Sequence, residues 1–247
     1  MSLNYSMLSL MQRGRDILYP HCCVACGEDT DQKLTICGAC WGDMPICAGL
    51  VCAKCGIPLP GEDPNASAIC SDCYGYGRPW RAGASVMVYD GLASRVVLSL
   101  KNHDRFEIAA FMSGLLYEAR QRLTPHPALL ALIPLHWRRH MLRKYNQAEL
   151  LSAELQRLAT DDLHIPDLLL RRRHSPAMRQ LTFAERMERM ENIFAISQPN
   201  AVAGKTVILV DDVMTSGATF SDATRACYAH DAKEVCILAL ARATKDA

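Results

Sequence analysis

The chemistry of this chain is concentrated in two groups of residues. The first runs Val207-Ile208-Leu209-Val210-Asp211-Asp212-Val213-Met214-Thr215-Ser216-Gly217-Ala218-Thr219-Phe220. It is an apolar run, two adjacent carboxylates, and a short turn crowded with hydroxyls around one glycine. Carboxylates at the end of a buried strand can accept hydrogen bonds from the neighbouring hydroxyls of a ribose. Backbone N–H groups and hydroxyl donors opening the next helix meet a phosphate at the positive end of the helix dipole. Gly217 lets the backbone approach that anion closely. Asp211, Asp212, Thr215, Ser216, Gly217, Ala218 and Thr219 are therefore candidates for holding a sugar phosphate.

The second group lies at the other end, where 10 of the 12 cysteines precede residue 74. Cys23 and Cys26, Cys37 and Cys40, Cys52 and Cys55, and Cys70 and Cys73 are each spaced Cys-x-x-Cys. Four such pairs can furnish two tetrahedral tetrathiolate zinc sites. Gly27 and Gly56 follow the first pair of each set and permit the tight knuckle in which N–H groups point at thiolates. Ligands can pair sequentially or nest; the sequential reading gives Cys23, Cys26, Cys37 and Cys40 to one zinc and Cys52, Cys55, Cys70 and Cys73 to the other. A disulfide framework is the competing reading, and it suits a secreted chain. Met1 to Leu10 lack the basic flank of a signal peptide, and the expectation is a cytoplasmic protein. Cys22 and Cys47 are left over, and Cys227 and Cys236 read as buried structural thiols.

These residues need elements to position them. Val207 to Val210 suit a strand buried on both faces of a parallel sheet, which binds ligands at its carboxyl end. The helix behind it should open at Thr215 and run to about Tyr228. Further strands are expected at Ala82 to Tyr89, Leu129 to Leu135, Ile193 to Ile196 and Glu234 to Ala241. Helices are expected at Leu92 to Lys101, Phe106 to Leu123 and Asn146 to Ala159, with a short packing helix between Leu3 and Leu18. Strands alternating with helices argue for an α/β fold with a mostly parallel, doubly wound sheet. Gly75, Gly77 and Pro79 punctuate the chain after the last cysteine pair, which divides it into a zinc module over residues 1–78 and a larger domain over 79–247.

Half of the 247 residues are hydrophobic and 21% charged, ordinary for a chain with a sizeable core. No apolar stretch approaches the ~20 residues needed to span a bilayer. Net charge is +1, but residues 1–80 hold 5 basic against 8 acidic side chains, while Arg138 to Arg189 hold 11 against 7. Arg138, Arg139, Arg143, Arg171, Arg172 and Arg173 carry much of that excess and could face a polyphosphate or a nucleic acid. Ile133-Pro134-Leu135-His136-Trp137-Arg138-Arg139 leaves a strand into a turn bearing donors and cations, fit for a diphosphate beside the phosphate site. His136 there reads more readily as a structural residue than as a ligand.

Val207 to Thr219 resembles the phosphoribosyl pyrophosphate signature of type I phosphoribosyltransferases, with Ser216 where that family usually carries a second threonine. Together with the doubled cysteine unit, the Ile133 to Arg139 turn, Arg143-Lys144-Tyr145-Asn146-Gln147, and an approximate match at Gln180, Leu181, Arg186, Asn192 and Phe194, nearly the whole chain resembles the ComF/GntX family of competence and DNA-utilisation proteins. The resemblance implies a type I phosphoribosyltransferase-like sheet behind a double zinc ribbon. It also implies that Asp211 and Asp212 hold ribose hydroxyls, that Thr215 to Thr219 hold the 5-phosphate, and that Mg2+ accompanies the diphosphate. Arg171 to Arg189 would correspond to the loop that closes over the ligand in active relatives. The partners implied are a phosphoribosyl pyrophosphate-like ligand, single-stranded DNA and a DNA-translocating ATPase. An active phosphoribosyltransferase of nucleotide salvage is the alternative, although no stretch supplies a recognisable nucleobase platform and no catalytic residue is assigned.

Overall fold

The computed structural model describes residues 21–23, 25–31, 36–102, 106–134, 147–172 and 192–244. The helix expected between Leu3 and Leu18 lies outside them. The chain divides into two compact units, Met1–Met44 and Pro45–Ala247.

The first unit carries one cysteine knuckle. Its turn is closed by the Cys23 N–H donating to the Glu28 carbonyl at 2.7 Å and the Gly27 N–H donating to the Cys23 carbonyl at 3.0 Å. A short helix, α1 (Gly38–Gly42), is capped by the Cys37 side chain, which accepts the Cys40 N–H. The second unit opens with the same device. There the Cys52 N–H donates to Ile57 at 2.8 Å and the Gly56 N–H to Cys52 at 2.8 Å. Its helix, α2 (Ser71–Tyr76), is capped by Cys70, which accepts the Cys73 N–H. The repeat visible in the cysteine spacing is thus a repeat of backbone geometry.

Behind the second knuckle lies a five-stranded parallel sheet formed by β1 (Ala82–Val88), β2 (Leu129–Leu132), β3 (Leu163–Ile165), β6 (Thr206–Met214) and β7 (Glu234–Arg242), in the order β1-β7-β6-β2-β3. Val207 to Val210 and Val235 to Ala241 are fully buried, as continuous apolar runs must be when helices cover both faces of a parallel sheet. Among the described residues the unit also holds five helices: α3 (Gly91–Asn102), α4 (Phe106–Gln121), α5 (Gln147–Leu158), α6 (Pro199–Val202) and α7 (Ala218–Tyr228). A separate antiparallel pair joins β4 (Leu169–Arg171) to β5 (Phe194–Ile196).

The mixed α/β fold with a parallel sheet matches the expectation, and three boundaries differ by three residues or more. β2 ends at Leu132 rather than Leu135. β6 continues past Val210 to Met214, so Asp211 and Asp212 lie inside the strand. α7 opens at Ala218, three residues after Thr215, because Gly217 takes a left-handed conformation (φ 77°) that an α-helix cannot include. The strands β3 and β4 were not expected from the sequence. Each is three residues long, β3 with one exposed and two half-buried positions and β4 with one buried, one exposed and one half-buried, too short for an alternation to declare itself. Arg171, expected at the start of a loop, is the last residue of β4 and pairs with Phe194.

The second knuckle is packed directly on β1. The Gly83 N–H donates to the Ala53 carbonyl at 2.9 Å and the Ser85 hydroxyl to the Cys55 carbonyl at 2.8 Å. The Trp80 indole N–H donates to the Lys54 carbonyl at 2.6 Å, and the Lys54 ammonium returns a bond to the Trp80 carbonyl at 2.5 Å. A Cβ on Gly83 would overlap the Lys54 carbonyl oxygen, so only glycine allows this approach. Cys52, Cys55 and Cys73 belong to the same buried cluster as Trp80, Val207, Leu209 and Phe220. Among the described residues no helix is long and apolar enough to cross a membrane.

Candidate functional site

Two cysteine tetrads are assembled, Cys23 with Cys26, Cys37 and Cys40, and Cys52 with Cys55, Cys70 and Cys73; the sulfur atoms of each lie within 4.8 Å of one another. The Cys26–Cys37 and Cys55–Cys70 sulfur separations are both 3.8 Å. That is the edge of a tetrahedron whose centre lies about 2.3 Å from each sulfur, the zinc–thiolate bond length. Backbone amides already serve the sulfurs, with the Cys37 N–H 3.3 Å from Cys23 Sγ and the Cys70 N–H 3.3 Å from Cys52 Sγ.

The thiol ionisation pattern fits the same group. At Cys23 burial raises the pKa, but N–H donors from Cys37, Cys26 and Ala25 outweigh it and bring the thiol down to about 6. S–H donation from Cys55 and Cys73 pulls Cys52 well below the thiol range. Cys55 is pushed up to about 12, chiefly by its bond to Cys52, and Cys73 is raised by Cys52 and Cys55. Cys23 and Cys52 readily carry a negative charge, whereas Cys26, Cys40, Cys55 and Cys73 are raised and lose their protons more easily with a cation among them. A divalent, thiophilic ion such as zinc supplies it.

The remaining cysteines stand apart from the tetrads. Burial pushes the Cys47 and Cys227 thiols up to about 12 and raises Cys236. Cys22 Sγ lies 3.9 Å from a carboxylate oxygen of Asp29.

The second candidate site forms at the carboxyl end of β6. β2 pairs with β6 only as far as Leu132 opposite Val210, whereas β7 follows β6 to Met214 opposite Arg242. The Asp211 to Met214 stretch therefore outruns β2. Asp211 and Asp212 are both half-buried, and the Asp211 carboxylate accepts the Asp212 N–H at 2.8 Å. That bond ties one carboxylate oxygen to the backbone of the next residue.

After Met214 the chain turns through Thr215, Ser216 and Gly217 into α7. Thr215 is exposed, Ser216 and Thr219 are half-buried, and Gly217 and Ala218 are buried. Gly217 occupies the cap position and offers no side chain to the helix end. Ser216 Oγ accepts the Ala218 N–H at 3.4 Å. The first amides of an α-helix have no carbonyl partner within the helix, which is why anions are commonly received at such a start.

A family model for the double zinc ribbon domain matches residues 15–74, and one for the phosphoribosyl transferase domain matches residues 148–247. Over 216 residues the chain is 30% identical to the DNA utilization protein YhgH of Salmonella typhi, covering 82% of this chain and 91% of that protein. It is 27% identical to Competence protein F of Haemophilus influenzae over 228 residues, covering 90% and 96%. Identity to Competence protein ComFC of Bacillus subtilis is 26% over 228 residues, covering 82% and 87%. The chain belongs to the ComF/GntX family.

In this ComF/GntX chain the basic candidates fall unevenly. Arg171 is half-buried with its guanidinium 5.6 Å above the Phe194 ring, and Arg172 is exposed. His136, Arg138, Arg139, Arg143, Arg173, Gln180, Leu181 and Arg186 lie outside the described residues.

Four residues beside the site went unread in the sequence: Arg78, Trp80, Asp222 and Arg242. Arg78 donates to the Ser216 carbonyl at 2.6 Å, and Arg242 to the Thr215 carbonyl at 2.6 Å. Trp80 meets Phe220 of α7 edge-on, with ring centroids 6.2 Å apart. Asp222 accepts backbone N–H groups at the start of β5. A signal for Arg242 did exist, because a lone cation closing the buried run Val235 to Ala241 needs acceptors at the sheet's carboxyl edge.

The structure adds a packing reason for Gly217. A Cβ there would stand 2.8 Å from Arg78 Nη1, 2.8 Å from Met214 Cε and 3.1 Å from Trp80 Cη2. The constraint comes from the supporting side as well as from positive φ. Gly217→Ala is expected to cost about 2–3 kcal/mol, combining a left-handed non-glycine residue with overpacking. Urea unfolding of the two proteins measures it.

Proposed function

We propose that this protein binds phosphoribosyl pyrophosphate, or a closely related phosphorylated ribose, at Asp211, Asp212 and the Thr215 to Thr219 loop, and that it serves the uptake or use of external DNA. The observation that carries the ligand reading is a single juxtaposition: two carboxylates on the part of β6 that outruns β2, followed at once by a helix start capped by glycine. The carboxylates would accept the ribose hydroxyls, and the loop amides and hydroxyls would hold the 5-phosphate. Mg2+ would neutralise the diphosphate. Arg138, Arg139, Arg143 and Arg171 to Arg173 are the proposed contacts for diphosphate or nucleic acid.

The DNA role is supported by the relatives, whose names are DNA utilization protein and competence protein. On this reading the double zinc ribbon runs through residue 78 with two structural zinc ions, and the phosphoribosyltransferase-type domain begins at residue 79. Single-stranded DNA and a DNA-translocating ATPase are the proposed partners, in the cytoplasm.

Isothermal titration with phosphoribosyl pyrophosphate and Mg2+ tests the ligand. The wild type is expected to bind, and Asp211→Asn/Asp212→Asn to bind at least about tenfold more weakly, because two charge-assisted bonds to hydroxyls are lost at nearly constant shape. Equal affinity in the two proteins would remove the carboxylates from the site. Pyrophosphate release in the presence of any nucleobase would turn the reading from binding protein to active transferase.

A further inference from the structure

The phosphate loop rests on two buried cations that belong to its supporting side. Arg78 is 7% exposed and Arg242 4%. Arg78 Nη1 donates to the Ser216 carbonyl at 2.6 Å. Arg242 Nη1 donates to the Thr215 carbonyl at 2.6 Å and lies 3.3 Å from the Met214 carbonyl.

In a trans peptide the C=O and the following N–H point in opposite directions from one plane. A guanidinium that draws the Ser216 carbonyl to one side therefore aims the Gly217 N–H to the other. Arg242 does the same through Thr215 for the Ser216 N–H. The two arginines thus turn successive amides away from the core, the arrangement that makes a backbone nest for an anion.

Both arginines are held by the second cysteine knuckle. The Arg78 guanidinium lies 5.3 Å above the Tyr76 ring and 5.4 Å above the Trp80 ring. Tyr76 closes α2, the helix that carries Cys73. Arg242 Nη2 lies 3.8 Å from a carboxylate oxygen of Asp72, the residue before Cys73.

We infer that Arg78 and Arg242 are positioning residues for the ligand loop, and that the metal tetrad of Cys52, Cys55, Cys70 and Cys73 sets the loop's affinity for its phosphate through them. The inference rests on the ligand reading above and adds what regulates that site. Coupling of this kind is reciprocal, so a ligand in the loop tightens the metal in the tetrad by the factor with which the metal tightens the ligand.

The test compares wild type, Arg78→Lys, Arg78→Met and Asp72→Asn in the full-length zinc-loaded protein. Backbone amide exchange is followed at Ser216 and Gly217, and binding of phosphoribosyl pyrophosphate with Mg2+ by calorimetry. Arg78→Met is expected to speed exchange at these two amides about tenfold and to weaken binding by a similar factor, as loss of one charged hydrogen bond would. Arg78→Lys should recover part of both, since it restores a donor without the planar fork. Amides of β6 and β7 should exchange as in wild type.

The reciprocal arm uses zinc alone as the probe: saturating phosphoribosyl pyrophosphate should slow zinc release to a chelator from the second tetrad and leave the first unchanged. Wild-type exchange rates at Ser216 and Gly217 in Arg78→Met would overturn the inference. Should that variant fail to fold, wild-type exchange and affinity in both Arg78→Lys and Asp72→Asn would overturn it instead. Absence of ligand binding by the wild type would remove the ligand reading, and the exchange rates would still decide whether the arginines position the loop.

Discussion

Cys55→Ser is expected to destabilise the whole of Pro45–Ala247, while Cys26→Ser should leave that unit's stability within about 0.5 kcal/mol of wild type. Both substitutions remove one of four metal ligands. They differ in what the ligand's turn supports. Cys26 is exposed and belongs to Met1–Met44. Cys55 is fully buried, its carbonyl accepts the Ser85 hydroxyl of β1, and its neighbour Lys54 exchanges two hydrogen bonds with Trp80. Loss of the metal would leave like-charged or protonated sulfurs packed against Trp80 and Phe220, with no cation to hold the turn closed. Structural zinc contributes folding energy directly, about 10 kcal/mol or more in isolated fingers. Here part of the knuckle stays held by its contacts with β1, so a loss of about 3–5 kcal/mol is expected, the range for severing a buried network. Urea unfolding followed by circular dichroism, with metal content measured on both variants, checks it. Equal unfolding midpoints would mean that the second knuckle rides on the sheet without supporting it.

That asymmetry also marks the limit of what the sequence could say. Cysteine spacing is local, since two residues between ligands define a knuckle wherever the chain places it, so the four pairs and the doubled unit were legible, whereas the sequential grouping into tetrads is shown by the structure. The continuous runs at Val207 to Val210 and Glu234 to Ala241 were legible for a similar reason: burial on both faces of a parallel sheet forbids alternation and leaves an unmistakable apolar block.

What escaped was non-local. Gly75, Gly77 and Pro79 read as punctuation at a domain boundary, yet Arg78 and Trp80 beside them are buried against residues 138 and 140 positions further along, at Ser216 and Phe220. Nothing in the local pattern distinguishes a glycine-rich strap pressed into a core from one exposed to water. The strand extension through Asp211 and Asp212 escaped for a different reason. Paired aspartates have poor strand propensity, and their pairing with β7 outweighs it.

Asp222→Ala is expected to cost about 3–5 kcal/mol, an unusually large effect for a polar residue on a helix. Asp222 is 4% exposed. One carboxylate oxygen accepts the Asn192 N–H at 2.8 Å, and the other accepts the Ile193 N–H at 2.8 Å and the Phe194 N–H at 3.0 Å. Alanine would leave three backbone donors without that acceptor at the mouth of β5, two of them on the buried residues Ile193 and Phe194, each costing about 1–3 kcal/mol when unsatisfied. Asn192 is held at φ 55°, a left-handed conformation that three converging bonds can enforce and that the chain would otherwise relax. Asp222→Asn should recover less than half of the loss, because its amide keeps one acceptor oxygen and turns an N–H group toward donors. Arg225, 3.8 Å from the same carboxylate, would then lose its anionic neighbour as well. Urea unfolding gives the global cost, and amide exchange at Ile193 and Phe194 localises it. Since Asp222 rides on the helix whose first turn faces the proposed phosphate, protection of those two amides should rise when phosphoribosyl pyrophosphate is added to wild type and should not respond in Asp222→Ala.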